Sequence, residues 1–413
     1  MKGDVDMTKP IRGAWLLTSV GALLLSGILA PTTATASPGS LDPHIPLACN
    51  PTWRTVASPN VGSEDNSLAS VDAVSATDVW AVGNTASGDT RSTLIEHFDG
   101  THWSIVPSPN GDQPVNWLTS VSAVAANDIW AVGFTNDGNG FESQSFTLIL
   151  HYDGSSWGVV PSPNPIPDPN PGGYDVSNEV YGVHAVAAND VWAVGHTFTV
   201  TLEQTLALHW DGTQWTDVPT PHPSRYSRLR SVDASASNDV WAVGEITRDF
   251  KQRTLTQHFD GTSWVTVPSP NQGISVDYMS SVSVAAPNDV WVVGYYIAVI
   301  GVDQPYQTSS FHFDGTSWRR VDAPDMSQEN NYLRGVATVP GKGAFAVGFW
   351  DTGTQLRTLA ERWTGSAWTV IPSPNRSDLI DELVGIDAGP TGLWSVGDYF
   401  GGFSYRTEIQ RFC

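Results

Sequence analysis

Apolar and polar positions along this chain come in short bursts, and four kinds of burst recur in a fixed order. Leu68 to Ala73 is β-branched and alternates, which is the pattern of a half-buried strand. Asp78-Val79-Trp80-Ala81-Val82-Gly83 is a second strand, and Leu94-Ile95-Glu96-His97-Phe98 is a third, closed by the tight-turn pair Asp99-Gly100. Trp103 to Val106 is a fourth. It stops at Pro107-Ser108-Pro109-Asn110, because proline has no N–H to give to a ladder.

The set then repeats. The Asp78 to Gly83 run returns at Asp128 to Gly133, Asp190 to Gly195, Asp239 to Gly244 and Asp289 to Gly294, with worn copies at Gly343 to Gly348 and Gly392 to Gly397. Seven repeats of about 50 residues with four strands each predict an all-β, seven-bladed β-propeller. A β-helix needs shorter periods, and no helical period is long enough for an α-solenoid. The seventh repeat ends after its third strand at Arg411-Phe412-Cys413, while Trp53 to Asn60 matches the fourth-strand segment Trp103 to Asn110. The N-terminal strand is therefore expected to complete the last blade and close the ring. Cys413 stands where Asp99 stands, and Cys49 precedes Trp53 by the same four residues as Asp99 precedes Trp103. This register predicts a Cys49–Cys413 disulfide in place of the missing turn, worth about 4–5 kcal/mol by the chain-entropy argument.

From residue 49 to 413 the array resembles secreted bacterial seven-bladed β-propellers, in the company of kelch/galactose-oxidase-like and sialidase-type repeats. The turn Asp99-Gly100-Thr101-His102-Trp103 is similar to an Asp-box, although here Gly directly follows Asp, and no Gly-Gly doublet follows the second strand. The resemblance implies a fold and not a catalytic set.

Residues 1–36 read as a signal peptide. Lys9 and Arg12 precede the apolar run Ala14 to Ala30, and Ala34-Thr35-Ala36 fits the small-x-small cleavage pattern. That run, about 17 residues, falls short of a comfortable membrane span. Residues 37–48 form a short linker and 49–413 the propeller, so a secreted, extracellular monomer is expected. Twenty Lys and Arg against 42 Asp and Glu give a net charge of -22, which argues against nucleic acid or an anionic membrane as partner. Disorder is excluded by 18 Trp with only 15% charged residues, and two Cys allow one bridge at most.

Repetition separates framework from candidate chemistry. The Trp80, Trp103, Asp78, Asp99 and His97 series recur from blade to blade and read as framework. Gly154-Ser155-Ser156-Trp157-Gly158 occupies the Asp-Gly turn and opens no helix, so it is no nucleophile elbow. Asp137 to Gly140 reads as a polar hairpin rather than a calcium loop. No zinc spacing or phosphate loop is present, and no metal or cofactor is expected.

In a propeller the loops between blades and those joining second to third strands open on one face. Here those loops are long and differ in every repeat, whereas the opposite face is short and uniform. Two positions per blade are expected near the axis on the variable face. Before the first strand stand Ser67, Trp117, Glu179, Arg228, Tyr278, Tyr332 and Glu382, and after the second Asn84, Phe134, His196, Glu245, Tyr295, Phe349 and Asp398, with Arg230, Arg334, Trp350 and Tyr399 nearby. This mix suits sugars, which stack on aromatic faces and bond to carboxylates and guanidinium groups. The leading expectation is a polysaccharide-directed enzyme. In a lyase, Arg228, Arg230 or Arg334 would neutralise a uronate while His196 or Tyr332 removed the adjacent proton. In a glycoside hydrolase, two of Glu179, Glu245, Glu382 and Asp398 would share the catalysis. The alternatives are a carbohydrate-binding, lectin-like protein and a protein-interaction platform.

Overall fold

The computed structural model describes residues 51–138, 144–166, 176–298 and 304–412. The expected leader and linker, and both Cys49 and Cys413, lie outside the described residues. Within them the chain is all β, with 28 strands and no helix. The first full repeat pairs Asn66–Ser75, Asp78–Ser87, Thr90–Phe98 and Trp103–Ile105 antiparallel in chain order. The other repeats follow the same order, which makes the fold a β-propeller, and 28 strands fit seven blades of four. The ring closes as the repeat register requires. Trp53–Val56 runs antiparallel to Tyr405–Phe412 with Trp53 opposite Phe412, the register that Trp103 and Phe98 hold within one chain segment.

Blades adhere through their tryptophans. Six fourth-strand Trp meet, edge to face, the second-strand Trp of the preceding blade, as in Trp157 on Trp80 (5.6 Å, 72°) and Trp264 on Trp192 (5.3 Å, 84°), while Trp53 joins the cluster of Phe345, which stands in place of that Trp. Such contacts add about 0.5–1.5 kcal/mol each beyond area burial. The Trp103–Trp394 pair makes the same contact between the first and last full repeats.

Two framework series do more than sequence reading assigned to them. Asp78 Oδ1 sits 2.8 Å from His97 Nε2 and also accepts from the Trp80 indole at 2.8 Å. The same Asp–His contact recurs at 2.8 Å in the next four repeats. Where Gly343 and Gly392 replace the aspartate, Arg362 and Arg411 replace the histidine and lie over Phe345 (5.5 Å) and Trp394 (5.0 Å). The aspartate and the histidine thus change together.

The second-strand glycine shapes the inner strand. A Cβ on Gly83, Gly133, Gly195, Gly244, Gly294, Gly348 or Gly397 would come within 1.8–2.1 Å of the facing inner-strand carbonyl. That close approach accompanies a bulge directly after it, between Leu68 and Ser70 in the first blade and at the equivalent place in every other. The bulge frees one extra residue per blade beside the channel: Ala69, Thr119, Tyr181, Arg230, Ser280, Arg334 and Val384.

Candidate functional site

The two series expected near the axis prove to be cross-strand partners. Glu179 faces His196, Arg228 faces Glu245, Tyr278 faces Tyr295, Tyr332 faces Phe349 and Glu382 faces Asp398, while Trp117 faces Phe134 and Ser67 faces Asn84. Together with the bulge residues they line the mouth of the channel.

One side of the mouth is ionic. His196 Nε2 lies 3.2 Å from Glu203 Oε1 and 3.9 Å from Glu179 Oε2, and Tyr181 donates its hydroxyl to Glu179. Arg228 pairs with Glu203, and Arg230 binds Glu245 through Nη2 at 2.9 Å and Nε at 3.3 Å. The Tyr181 ring stacks on His196 at 5.5 Å with 4° between planes, and Arg230 lies 4.9 Å over it. Burial, with Arg228 and Arg230 adding to it, pushes the His196 imidazole well below its ordinary value. Burial likewise raises Glu203 against the pull of Arg228. The other side is aromatic. Tyr278 stacks on Tyr295 (4.6 Å, 14°), Tyr332 lies 4.9 Å from both Tyr295 and Phe349, and Tyr306 adds a further ring. Arg334 sits among them, 5.3 Å from the Tyr295 ring and 5.5 Å from those of Tyr332 and Phe349.

Elsewhere on the mouth Trp117 stacks with Phe134 under Arg91, and Ser67 donates to Asp398. Trp350 is not part of the mouth. It follows Phe349 directly, so the period of two turns it away, and it packs against the core shared by the Trp291 and Phe345 blades. Sequence reading missed Tyr181, Glu203 and Tyr306. Tyr181 occupies the bulge position of Arg230 and Arg334, so alignment of the repeats contains the signal. Glu203 and Tyr306 sit on third strands, beyond the two positions that were compared between blades.

Away from the axis, a cleft of about 650 Å³ opens beside the closing segment, between Asn60, Arg376, Leu379, Tyr399, Phe400 and Arg406. The exposed large apolar residues divide sharply by location. Val200, Phe250 and Phe403 cap second-to-third-strand hairpins, and Val61, Tyr226, Met326 and Leu379 lie in or at the end of inter-blade loops. Ile105, Val159, Val265 and Val370 are on outer strands, and among the described residues the uniform face has none. Phe403 is 100% exposed and Phe250 90%. Among the described residues, Asp249 and Phe250 are also the two non-glycine residues with positive φ, at 52° and 60°. Among the described residues no group of His, Cys, Asp and Glu could hold a metal ion, and no helix is long and apolar enough to cross a membrane.

No family model matches the chain, and no curated protein sequence is significantly similar to it. Solved structures do match. The chain is similar to "YCF48 bound to D1 peptide" at 14% identity, over 89% of this chain and 96% of that one, with a TM-score of 0.52. Similarity to YCF48 from Cyanidioschyzon merolae is 12% over 87% and 98% (TM-score 0.51), and to the WD40 β-propeller domain of Doa1 10% over 87% and 96% (TM-score 0.50). At these identities the likeness is one of fold, and the fold is the β-propeller.

Proposed function

We propose that this protein is a seven-bladed interaction platform that binds a protein or peptide partner on its variable face. The carrying observation is the one-sided display of apolar residues, with Phe403 100%, Phe250 90% and Val200 59% exposed at hairpin tips. Phenylalanine in the left-handed region costs roughly 1–2 kcal/mol, and a fold that retains such a residue fully in water holds it there for contact. Aromatic side chains supply large contact area at small entropic cost, which suits an interface. That a propeller of the same fold has been described with a peptide supports this class of partner.

The polysaccharide-directed enzyme, first in the sequence reading, has less support. His196 and Glu245 are 5% and 3% exposed, and each is held by partners within the mouth. An acid or base so engaged must break an ion pair before it reaches a substrate. Export follows from the leader-like residues 1–36, and a Cys49–Cys413 bridge follows from the register of Trp53 with Phe412; both stand as proposals beside the platform.

The test is a displayed random-peptide library selected on purified residues 37–413, with the recovered peptides titrated against Phe250→Ala/Phe403→Ala and against Ile105→Ala/Val159→Ala on the outer strands. Affinity lost in the first pair and kept in the second supports the platform. Selection that recovers no peptide, or peptides indifferent to the first pair, overturns it.

A further inference from the structure

Accepting the platform reading, a particular chemistry is written into the mouth of its channel. Arg228 has Glu203 and Arg230 has Glu245, but Arg334 has no carboxylate within ion-pair distance among the described residues. Its Nε is buried and has no hydrogen-bond acceptor. The charge of Glu382 also acts on it. Three rings surround it, those of Tyr295, Tyr332 and Phe349 at 5.3–5.5 Å, and they contribute faces rather than acceptors. The phenols of Tyr278, Tyr295 and Tyr332 add three hydroxyls that donate to no described residue. Arg334 as a whole is half-buried, so only its Nε lacks both water and an acceptor, and a guanidinium that gains a carboxylate forms the strongest ordinary hydrogen bonds a protein has. Cation–π contacts fix the fork in place beforehand, so little entropy is lost when the partner arrives.

We propose that Arg334, framed by Tyr295, Tyr332 and Phe349, is the anchor for a carboxylate of the partner peptide, an Asp or Glu side chain or a C-terminal carboxylate. The neighbouring chemistry orients that carboxylate. On the far side of Tyr278 the Arg230–Glu245 pair is already satisfied, so a second acid gains nothing there, and Arg334 alone reads the charge. The exposed Phe250 and Phe403 grip the apolar part of the same partner at the rim. A polyanion of the wrong class meets a protein whose net charge is -22, which opposes long acidic polymers and leaves room for a single well-placed carboxylate.

The experiment uses residues 37–413 and synthetic peptides taken from the library selection, each made in three forms: the parent, one with every Asp and Glu replaced by Asn and Gln, and one with a C-terminal amide. Oligogalacturonate serves as the uronate probe. With the native propeller, at least one neutralised form is expected to bind tenfold or more weakly than the parent. Arg334→Gln is expected to bind parent and neutralised forms alike, and Arg334→Lys to restore part of the difference. The melting temperature of each variant separates lost binding from lost folding, and Tyr332→Phe, which keeps the ring and removes one donor, is expected to weaken only the parent, about threefold. Which form fails identifies a side-chain or a terminal carboxylate. Parent and neutralised peptides binding the native protein equally, or Arg334→Gln keeping the full difference, overturns the anchor while the platform stands. Arg334-dependent binding of oligogalacturonate without any peptide binding overturns both.

Discussion

The two faces of the ring are built from the same strands and differ in how they spend their polar groups. On the uniform face four of the described third-to-fourth-strand turns close on themselves. Asp99 Oδ1 accepts the Thr101 hydroxyl at 2.6 Å and the amides of Thr101 and His102 at 2.8 and 3.0 Å, and Asp153, Asp211 and Asp314 repeat that arrangement. These bonds hold the Asp99 and Asp153 carboxyls below the ordinary range. The variable face instead leaves Arg334 Nε without an acceptor and Phe250 and Phe403 in water. A face that satisfies itself has nothing left to offer a partner; one with orphaned donors and bare rings does.

That contrast can be broken or sharpened in four steps, taken from the largest expected effect to the smallest. The first disturbs the seams between blades and leaves both faces alone. Glu96, Glu361 and Glu408 are fully buried, and burial raises all three, Glu96 to about 8 and Glu408 to about 7. The folded protein thus keeps protons that the unfolded chain gives up at about pH 4. Stability from these groups is complete below that pH and is lost as pH climbs through 7 and 8. Urea unfolding at pH 6 and pH 9 should differ by a few kcal/mol, and Glu96→Gln with Glu408→Gln should shrink the difference.

Next, Gly244→Ala drives a methyl into the Arg228 carbonyl and should cost roughly 3 kcal/mol in the same assay. A mild effect there would mean that the bulge presenting Arg230 does not depend on the glycine. Third, Asp78→Ala removes the acceptor of both His97 and the Trp80 indole and should cost about 1–3 kcal/mol, with peptide binding unchanged. Last and opposite in sign, Phe250→Gly should stabilise the fold by about 1 kcal/mol while weakening the partner. Stabilisation without lost affinity would strip Phe250 of its role at the rim.

Much of this was legible from the repeats. The ring closure followed from matching Trp53 to Trp103, and the mouth pairs from two fixed offsets to the Val-Gly step. The missing parts have identifiable causes. Asn66, Asn116, Asn178 and Asn331 are buried at the head of inner strands, where each side-chain oxygen accepts a backbone N–H of the inter-blade loop at 2.8–3.1 Å. They stand one residue before the Ser67 series, yet Asp277 and Asp381 take the same role with a different residue type, which hides the series from simple matching. The Asp78–His97 contact spans two strands, and its only linear trace is the joint change to Gly and Arg in the last two repeats. Phe250 and Phe403 were passed over because a single exposed phenylalanine has no periodicity to mark it.

Closing the ring with the first strand has a consequence for handling and tethering. Trp53 and Phe412 lie side by side, and both strands meet there at the uniform-face edge. A linker, label or surface attachment placed at either end of the propeller therefore leaves from one point and turns the same side toward its support. The variable face then looks outward whichever end is held, so a bead or sensor chip carrying this ring by either terminus presents the same surface to solution.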